Sequence, residues 1–298
     1  MTEVSIPAGN PSVLPASERP IGVFDSGIGG LTVVREILRQ LPAERVIYFG
    51  DSARVPYGGK SVETVTRFSI ENTHFLLRRG IKFLVVACNT ASALSLQVLQ
   101  RRFDVPMIGV ILPGAREAVR RTARRKIGVI GTTGTIGSHA YDRAISEIDP
   151  ECTVEGAACP LFVPLAEEGW TEGDIPRRVA EVYLEPLRRS GVDTVILGCT
   201  HYPILRPIIA EVLGEGIDLV DTAEVTVAEV RRELEDLDLL RMPADAAKGH
   251  EHAHAAGDHR FFLSDVPVRF REVGGRFLGE PIEDLSWVEQ SDLPWYER

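Results

Sequence analysis

The stretch LVVACNTASA, residues 84–93, decides how the chain folds, and VILGCTHYPI, residues 195–204, repeats its pattern. Each is a short apolar run that ends in a cysteine, Cys88 or Cys199, followed by small polar residues and a segment with helical spacing. A continuous apolar run of this kind is typical of a strand buried on both faces of a parallel sheet. The two cysteines are therefore predicted at the carboxyl ends of two such strands.

The rest of the chain alternates between the same two patterns. Apolar runs recur near residues 21, 45, 126 and 218, and the segments between them place apolar residues three and four positions apart. LTVVREILRQL, residues 31–41, and ETVTRFSIENTHFLLRRG, residues 63–80, show that spacing clearly. Strands alternating with helices predict βαβ units, and hence mainly parallel sheets covered by helices on both faces.

The two halves of the chain share one order of patterns. Cys88 follows the run that begins at Ile21 by 67 residues, and Cys199 follows the run that begins at Ile127 by 72 residues. This predicts an internal duplication that gives two similar doubly wound α/β domains. In open α/β sheets, ligands bind outside the carboxyl ends of the strands. We therefore expect the active site in the cleft between the domains, with one cysteine on each wall.

Other polar residues also fall at predicted strand ends. Like the cysteines, they should face a ligand held in the cleft; they are Asp25, Ser26, Asn89, Thr90, Thr132, Thr135, Thr200 and His201.

Two facing thiols indicate a specific chemistry. Each cysteine precedes a predicted helix, whose N-terminus favours a thiolate. A thiolate can remove a proton from carbon while a thiol on the other side supplies one, which yields the mirror-image centre. The alternative is that both are buried strand-end residues. Their equivalent positions, each followed by small polar residues, favour catalysis.

Composition excludes several classes. The 298-residue chain has a net charge of −10, which argues against nucleic acid as a partner, and no apolar run reaches the roughly 18 residues of a membrane span. Residues 1–20 lack the features of a secretory signal and are predicted to be a flexible tail. Four cysteines without such a signal predict free thiols in the cytoplasm, with Cys152 and Cys159 as small buried residues.

No cofactor or metal is predicted. GGKS, residues 58–61, has Arg54 where a phosphate-binding loop needs glycine, and GTTGTIG, residues 131–137, lacks dinucleotide-site spacing. None of the four lysines suits a pyridoxal phosphate Schiff base. The histidine-rich stretch 250–259 is predicted to be a flexible loop, not a metal site; its histidines are His250, His252, His254 and His259.

Six motifs together resemble the glutamate racemase family of the aspartate/glutamate racemase superfamily. They are IGVFDSGIGGLTVVREI (21–37), YFGDSARVPYGGKS (48–61), VVACNTASA (85–93), IGVIGTTGTIGSHAY (127–141), ACPLFVPLAEEGW (158–170) and LGCTHYPIL (197–205). The resemblance implies cofactor-independent interconversion of L- and D-glutamate, which supplies D-glutamate for peptidoglycan. It also implies a discontinuous first domain, residues 21–111 with 222–298, around a second domain, residues 112–221. Homodimers are common in that family, so a homodimer is the protein partner to test for.

The resemblance also assigns roles to residues. Cys88 would take the α-proton from D-glutamate and Cys199 from L-glutamate, with Asp25 assisting the first and His201 tuning the second. A functional glutamate is implied at Glu167, with Glu168 as the fallback. The implied substrate-binding residues are Asp25, Ser26, Tyr57, Gly58, Asn89, Thr90, Thr132, Thr135, Thr200 and His201.

Some of these residues have ordinary structural explanations. Asp25 could be a helix N-cap. Tyr57 and Gly58 could simply be turn residues, and either glutamate could belong to a solvated helix face.

Three other functions stay open from sequence. The first is racemisation of aspartate or another acidic amino acid, because pocket shape sets substrate length. The second is an isomerase or decarboxylase that uses one cysteine, although such an enzyme would not need both. The third is a two-lobed small-ligand binding protein, which would not need paired thiols at strand ends.

Overall fold

The computed structural model describes residues 14–242, 259–266 and 268–288. The strands are β1 (Ile21–Asp25), β2 (Val46–Gly50), β3 (Phe83–Val86), β4 (Met107–Gly109), β5 (Lys126–Gly131), β6 (Thr153–Ala158), β7 (Thr194–Gly198), β8 (Asp218–Asp221), β9 (His259–Leu263) and β10 (Leu285–Trp287). The α-helices are α1 (Leu31–Gln40), α2 (Val62–Leu77), α3 (Asn89–Arg102), α4 (Ile111–Arg121), α5 (Thr133–Gly137), α6 (Ala140–Ile148), α7 (Phe162–Glu168), α8 (Asp174–Ser190), α9 (Arg206–Leu213), α10 (Thr222–Asp236) and α11 (Phe270–Leu278).

The strands form two parallel sheets. The first has six strands in the order β10-β9-β2-β1-β3-β4, and the second has four in the order β6-β5-β7-β8. Every pairing in both sheets is parallel. The order β2-β1-β3-β4 in the first sheet corresponds strand for strand to β6-β5-β7-β8 in the second. The predicted α/β class with mainly parallel sheets is confirmed, and the matching orders support an internal duplication.

The central strands are apolar because helices cover both of their faces. Every residue of β1, β3 and β7 is buried, as the continuous apolar runs predict. Helix α2 begins after Ser61, whose side chain accepts a hydrogen bond from the Thr64 N–H, an ordinary N-cap. Helix α8 ends at Ser190 and is followed by Gly191 with a φ of 72°, a left-handed conformation that glycine adopts without a steric penalty.

The late part of the chain returns to the first sheet. Strand β9 pairs with β2, and β10 pairs with β9. His259 is the first residue of β9, whereas His250, His252 and His254 of the predicted loop lie outside the described residues. Within the described ranges, no helix combines the length and the apolar character needed to cross a membrane.

Lys82 holds three distant segments together beside the first sheet. Its Nζ lies 2.6 Å from Glu44 Oε2, and both side chains are 1% exposed. The same Nζ donates to the carbonyl oxygens of Ser17 and Leu239, each at 2.7 Å. Two hydrogen bonds to carbonyl oxygens and one ion pair therefore surround the Lys82 ammonium. One of these partners, Ser17, lies within residues 1–20, the segment predicted to be a flexible tail.

We predict that Lys82→Met lowers the free energy of unfolding by about 3–5 kcal/mol, because it leaves Glu44 buried without its cation. Lys126→Met is the matched control: Lys126 is exposed at the start of β5, and its loss should change stability by less than about 0.5 kcal/mol. Urea denaturation of both variants measures the difference. Equal stabilities for the two variants would show that the buried pair is dispensable.

Candidate active site

The carboxyl ends of β1 and β7 meet at Asp25 and Thr200. Asp25 is fully buried; its Oδ2 accepts a hydrogen bond from the Gly27 N–H at 3.0 Å, and its Oδ1 accepts a long one from Thr200 Oγ1 at 3.5 Å. Thr32 Oγ1 donates to the Thr200 carbonyl at 3.0 Å. Burial raises the pKa of Asp25, opposed by the charge of His201 and by backbone N–H groups. Gly30 is the N-cap of α1, so the helix-cap explanation of Asp25 is wrong.

The ends of β3 and β5 meet through three hydroxyl groups. Thr90 Oγ1 lies 2.9 Å from Thr132 Oγ1 and 3.2 Å from Thr135 Oγ1, and the last two lie 3.1 Å apart. The Gly134 N–H also donates to the Gly58 carbonyl at 2.7 Å. These contacts join residues that follow strands of both sheets. The hydroxyls can donate to or accept from a ligand oxygen.

The surroundings of Cys88 favour its protonated thiol form. It is the N-cap of α3, and its sulfur accepts a hydrogen bond from the Ala91 N–H at 3.4 Å. Burial and the nearby Asp25 raise the pKa of Cys88 to about 12, although the Ala91 amide and the Ser26 hydroxyl act in the opposite direction. The helix terminus therefore acts as predicted, but burial outweighs it.

Cys199 has a different neighbour. The prediction that a helix starts directly after it is wrong for an α-helix, because a short 3-10 helix, Tyr202–Leu205, comes before α9. Its sulfur instead lies 3.8 Å from His201 Nδ1, and His201 Nε2 lies 2.9 Å from Glu167 Oε1. Burial lowers the pKa of His201, but hydrogen bonds with Cys199 and Glu167 outweigh it and raise the pKa to about 10. These two hydrogen bonds therefore favour an imidazolium beside the Cys199 sulfur.

The two neighbouring glutamates of α7 have separate surroundings. Glu167 contacts His201, which is 4% exposed, whereas Glu168 forms an exposed ion pair with Arg269 at 2.8 Å. The structure therefore brings Glu167 to the Cys199 side of the cleft. Glu168 is directed to the surface.

Of the remaining predicted residues, Asn89 and Ser26 lie at the candidate site, whereas the Tyr57 hydroxyl does not. Asn89 lies at the start of α3 and is 2% exposed, while Ser26 is half-buried and acts to lower the pKa of Cys88. The Tyr57 hydroxyl is used elsewhere: it donates to Asp51 and accepts from Asn72 Nδ2 at 3.1 Å. The loop that holds Tyr57 reaches the candidate site through the Gly58 carbonyl, which accepts a hydrogen bond from the Gly134 N–H.

Tyr141 is at the site but was not predicted from sequence. Its hydroxyl donates to Asn89 Oδ1 at 2.6 Å, and both side chains are buried. Its one signal in the sequence is that it ends the motif IGVIGTTGTIGSHAY. Without the fold, nothing in the sequence connects Tyr141 to Asn89.

Known proteins share this fold and much of this sequence. A family model described as Asp/Glu/hydantoin racemase matches residues 21–230. A glutamate racemase from Geobacter metallireducens is 53% identical over 91% of this chain and 96% of its own length. One from Neisseria meningitidis is 45% identical over 91% of this chain and 97% of its own. The chain belongs to the Asp/Glu/hydantoin racemase family and is an amino-acid racemase of its glutamate racemase branch, which confirms the resemblance seen in the motifs.

A solved structure supports the same assignment. Glutamate racemase from Francisella tularensis, in complex with D-glutamate, superposes with a TM-score of 0.82 at 37% identity. The match covers 92% of this chain and 98% of the other.

We predict that Glu167→Gln lowers the pKa of His201 by about one unit or more, because burial then acts against a weaker acceptor. Glu168→Gln is the control and should leave it unchanged. An NMR titration of the imidazole measures this, with the His201 signal assigned by its loss in His201→Gln. An equal pKa in both glutamine variants would contradict the assigned pairing.

Proposed function

We propose that the chain interconverts L- and D-glutamate by two-base proton transfer between Cys88 and Cys199, without a cofactor. The observation that carries the proposal is the contrast between the two cysteines. Burial and Asp25 raise the pKa of Cys88, whereas Cys199 has a histidine beside it, with its sulfur 3.8 Å from His201 Nδ1. A two-base racemase needs one acid and one base at the start of each turnover.

The proton transfers follow from this contrast. With L-glutamate bound, the Cys199 thiolate takes the α-proton, and its sulfur becomes a thiol. The Cys88 thiol delivers its proton to the opposite face of the carbanion and becomes a thiolate. D-glutamate leaves, and the reverse reaction begins from this exchanged state. Asp25 acts on the Cys88 side, and the pair of His201 and Glu167 acts on the Cys199 side.

Polar groups around the cysteines suit an acidic amino acid. Asp25 supplies a carboxylate for the substrate ammonium, together with the adjacent Ser26. Oxygen atoms of the carboxylates would be held by side-chain donors and by backbone amides at helix starts. The proposed binding groups are Gly58, Asn89, Thr90, Thr132, Thr135, Thr200 and His201, with Tyr57 contributing through its backbone. The D-glutamate bound to the Francisella tularensis relative supports this substrate.

The cellular setting follows from the same assignment. We propose that the product serves peptidoglycan synthesis in the cytoplasm; the four free cysteines suit a reducing compartment. We further propose the two domains as residues 21–111 with 222–298, and 112–221, which agrees with the pairing of β9 and β10 in the first sheet. A homodimer stays a prediction.

We predict that Cys88→Ser and Cys199→Ser each lower kcat/KM for both directions by roughly 10²–10⁴-fold, the range typical of a lost acid or base. An alcohol is a far weaker acid than a thiol, so neither half-reaction can be completed. Cys152→Ser is the control, since Cys152 lies outside the site beside Asp149. Polarimetry of glutamate measures the rates, and near-normal turnover by either active-site variant would rule out the two-base mechanism.

The same assay with L-aspartate tests the closest rival. Faster racemisation of aspartate than of glutamate would reassign the substrate while leaving the cysteine chemistry intact.

A further inference from the structure

Tyr141 and Asn89 join elements that follow different sheets. Tyr141 lies in α6, after β5 of the second sheet, and Asn89 opens α3, after β3 of the first. The phenol hydroxyl donates to Asn89 Oδ1 at 2.6 Å, and each residue is 2% exposed. A short, buried hydrogen bond between distant elements holds both side chains in place.

The Tyr141 ring, like its hydroxyl, is in close contact with its surroundings. A Cβ added at Gly198 would lie 3.2 Å from Tyr141 Cε2, and one added at Gly114 would lie 3.4 Å from Cε1. The ring thus packs against the end of β7, directly before Cys199, and against α4. These contacts at both edges of the ring restrict the position of its hydroxyl.

The hydrogen bond has a chemical consequence for Asn89. An amide has an acceptor end and a donor end, and the phenol occupies the acceptor end. Asn89 Nδ2 is then left buried with no hydrogen-bond partner among the described residues. A buried N–H group without a partner is costly, so such a group indicates a missing acceptor. Burial and the charge of Cys199 raise the pKa of Tyr141, which keeps the phenol a donor.

We propose that Tyr141 is a positioning residue that orients the Asn89 amide so that Nδ2 donates to a carboxylate oxygen of the substrate. The inference rests on the proposed function for the identity of that substrate. Asn89 Nδ2 would act beside other donors at the start of α3, because the first N–H groups of a helix have no acceptor within it. A fixed donor of this kind selects an acceptor group on the ligand and rejects a second donor.

The first test compares two tyrosine-to-phenylalanine variants. Tyr141→Phe should raise the KM for both enantiomers roughly tenfold, the factor given by about 1.4 kcal/mol, with kcat within about threefold of wild type. Tyr202→Phe is the matched control, because Tyr202 is also fully buried near Cys199 but donates to the Cys159 carbonyl at 2.8 Å. Its KM should stay within about twofold of wild type. An unchanged KM in Tyr141→Phe, or equal changes in both variants, would overturn the inference.

The second test changes the donor while keeping its shape. In Asn89→Asp, Tyr141 can still donate to one oxygen, but the other end now presents an acceptor to the substrate carboxylate. This variant should bind D-glutamate more weakly than Asn89→Ala does, and the reverse order would contradict the proposal. Since aspartate is isosteric with asparagine, this test holds even if a tyrosine variant folds poorly.

Calorimetric binding of D-glutamate separates this inference from the proposed function. If wild-type protein binds D-glutamate without racemising it, the proposed function fails, whereas a roughly tenfold higher Kd in Tyr141→Phe still supports the inference. If wild type racemises glutamate and Tyr141→Phe keeps the wild-type Kd, only the inference fails. If wild type does not bind D-glutamate, both fail.

Discussion

The contact between Asp25 and Thr200 joins the carboxyl ends of two parallel sheets, and the candidate site depends on that junction. Two cysteine sulfur atoms can act on one carbon only if the carboxyl ends of the strands before them face each other. Thr32, which donates to the Thr200 carbonyl at 3.0 Å, holds the same junction from α1. Gly29 allows the close approach, because a Cβ there would collide with Thr200 Oγ1 and His201 Nδ1. On the other side of the candidate site, the hydroxyls of Thr90, Thr132 and Thr135 contact one another.

The fold repeats itself, but its electrostatics do not. Cys88 and Cys199 follow the corresponding strands β3 and β7, which end at Val86 and Gly198. An anionic neighbour, Asp25, acts on the first cysteine, and a cationic one, His201, contacts the second. In the proposed mechanism the substrate and the product are mirror images, yet each turnover needs one acid and one base. The different neighbours of the two cysteines would supply that difference under the proposed mechanism.

The fold was largely predictable because its signals are local. The apolar runs ending before Cys88 and Cys199 became fully buried strands, and the helical spacing after Ser61 became α2. The protonation states were not predictable, since burial decides the pKa of Cys88 and depends on the whole fold. The hydrogen bond from the Tyr57 hydroxyl to Asp51 was also not predictable, since it depends on the whole fold. Tyr141 was missed because its partner lies 52 residues away.

The most direct test follows the α-proton in heavy water. At early conversion of L-glutamate in D₂O, mass spectrometry after chiral separation should find deuterium at the α-carbon of nearly all D-glutamate and almost none in the remaining L-glutamate. That outcome requires that the group removing the proton differs from the group supplying the new one. Product that retains the original hydrogen, or equal labelling of both enantiomers from the start, would indicate one shared base and contradict the account.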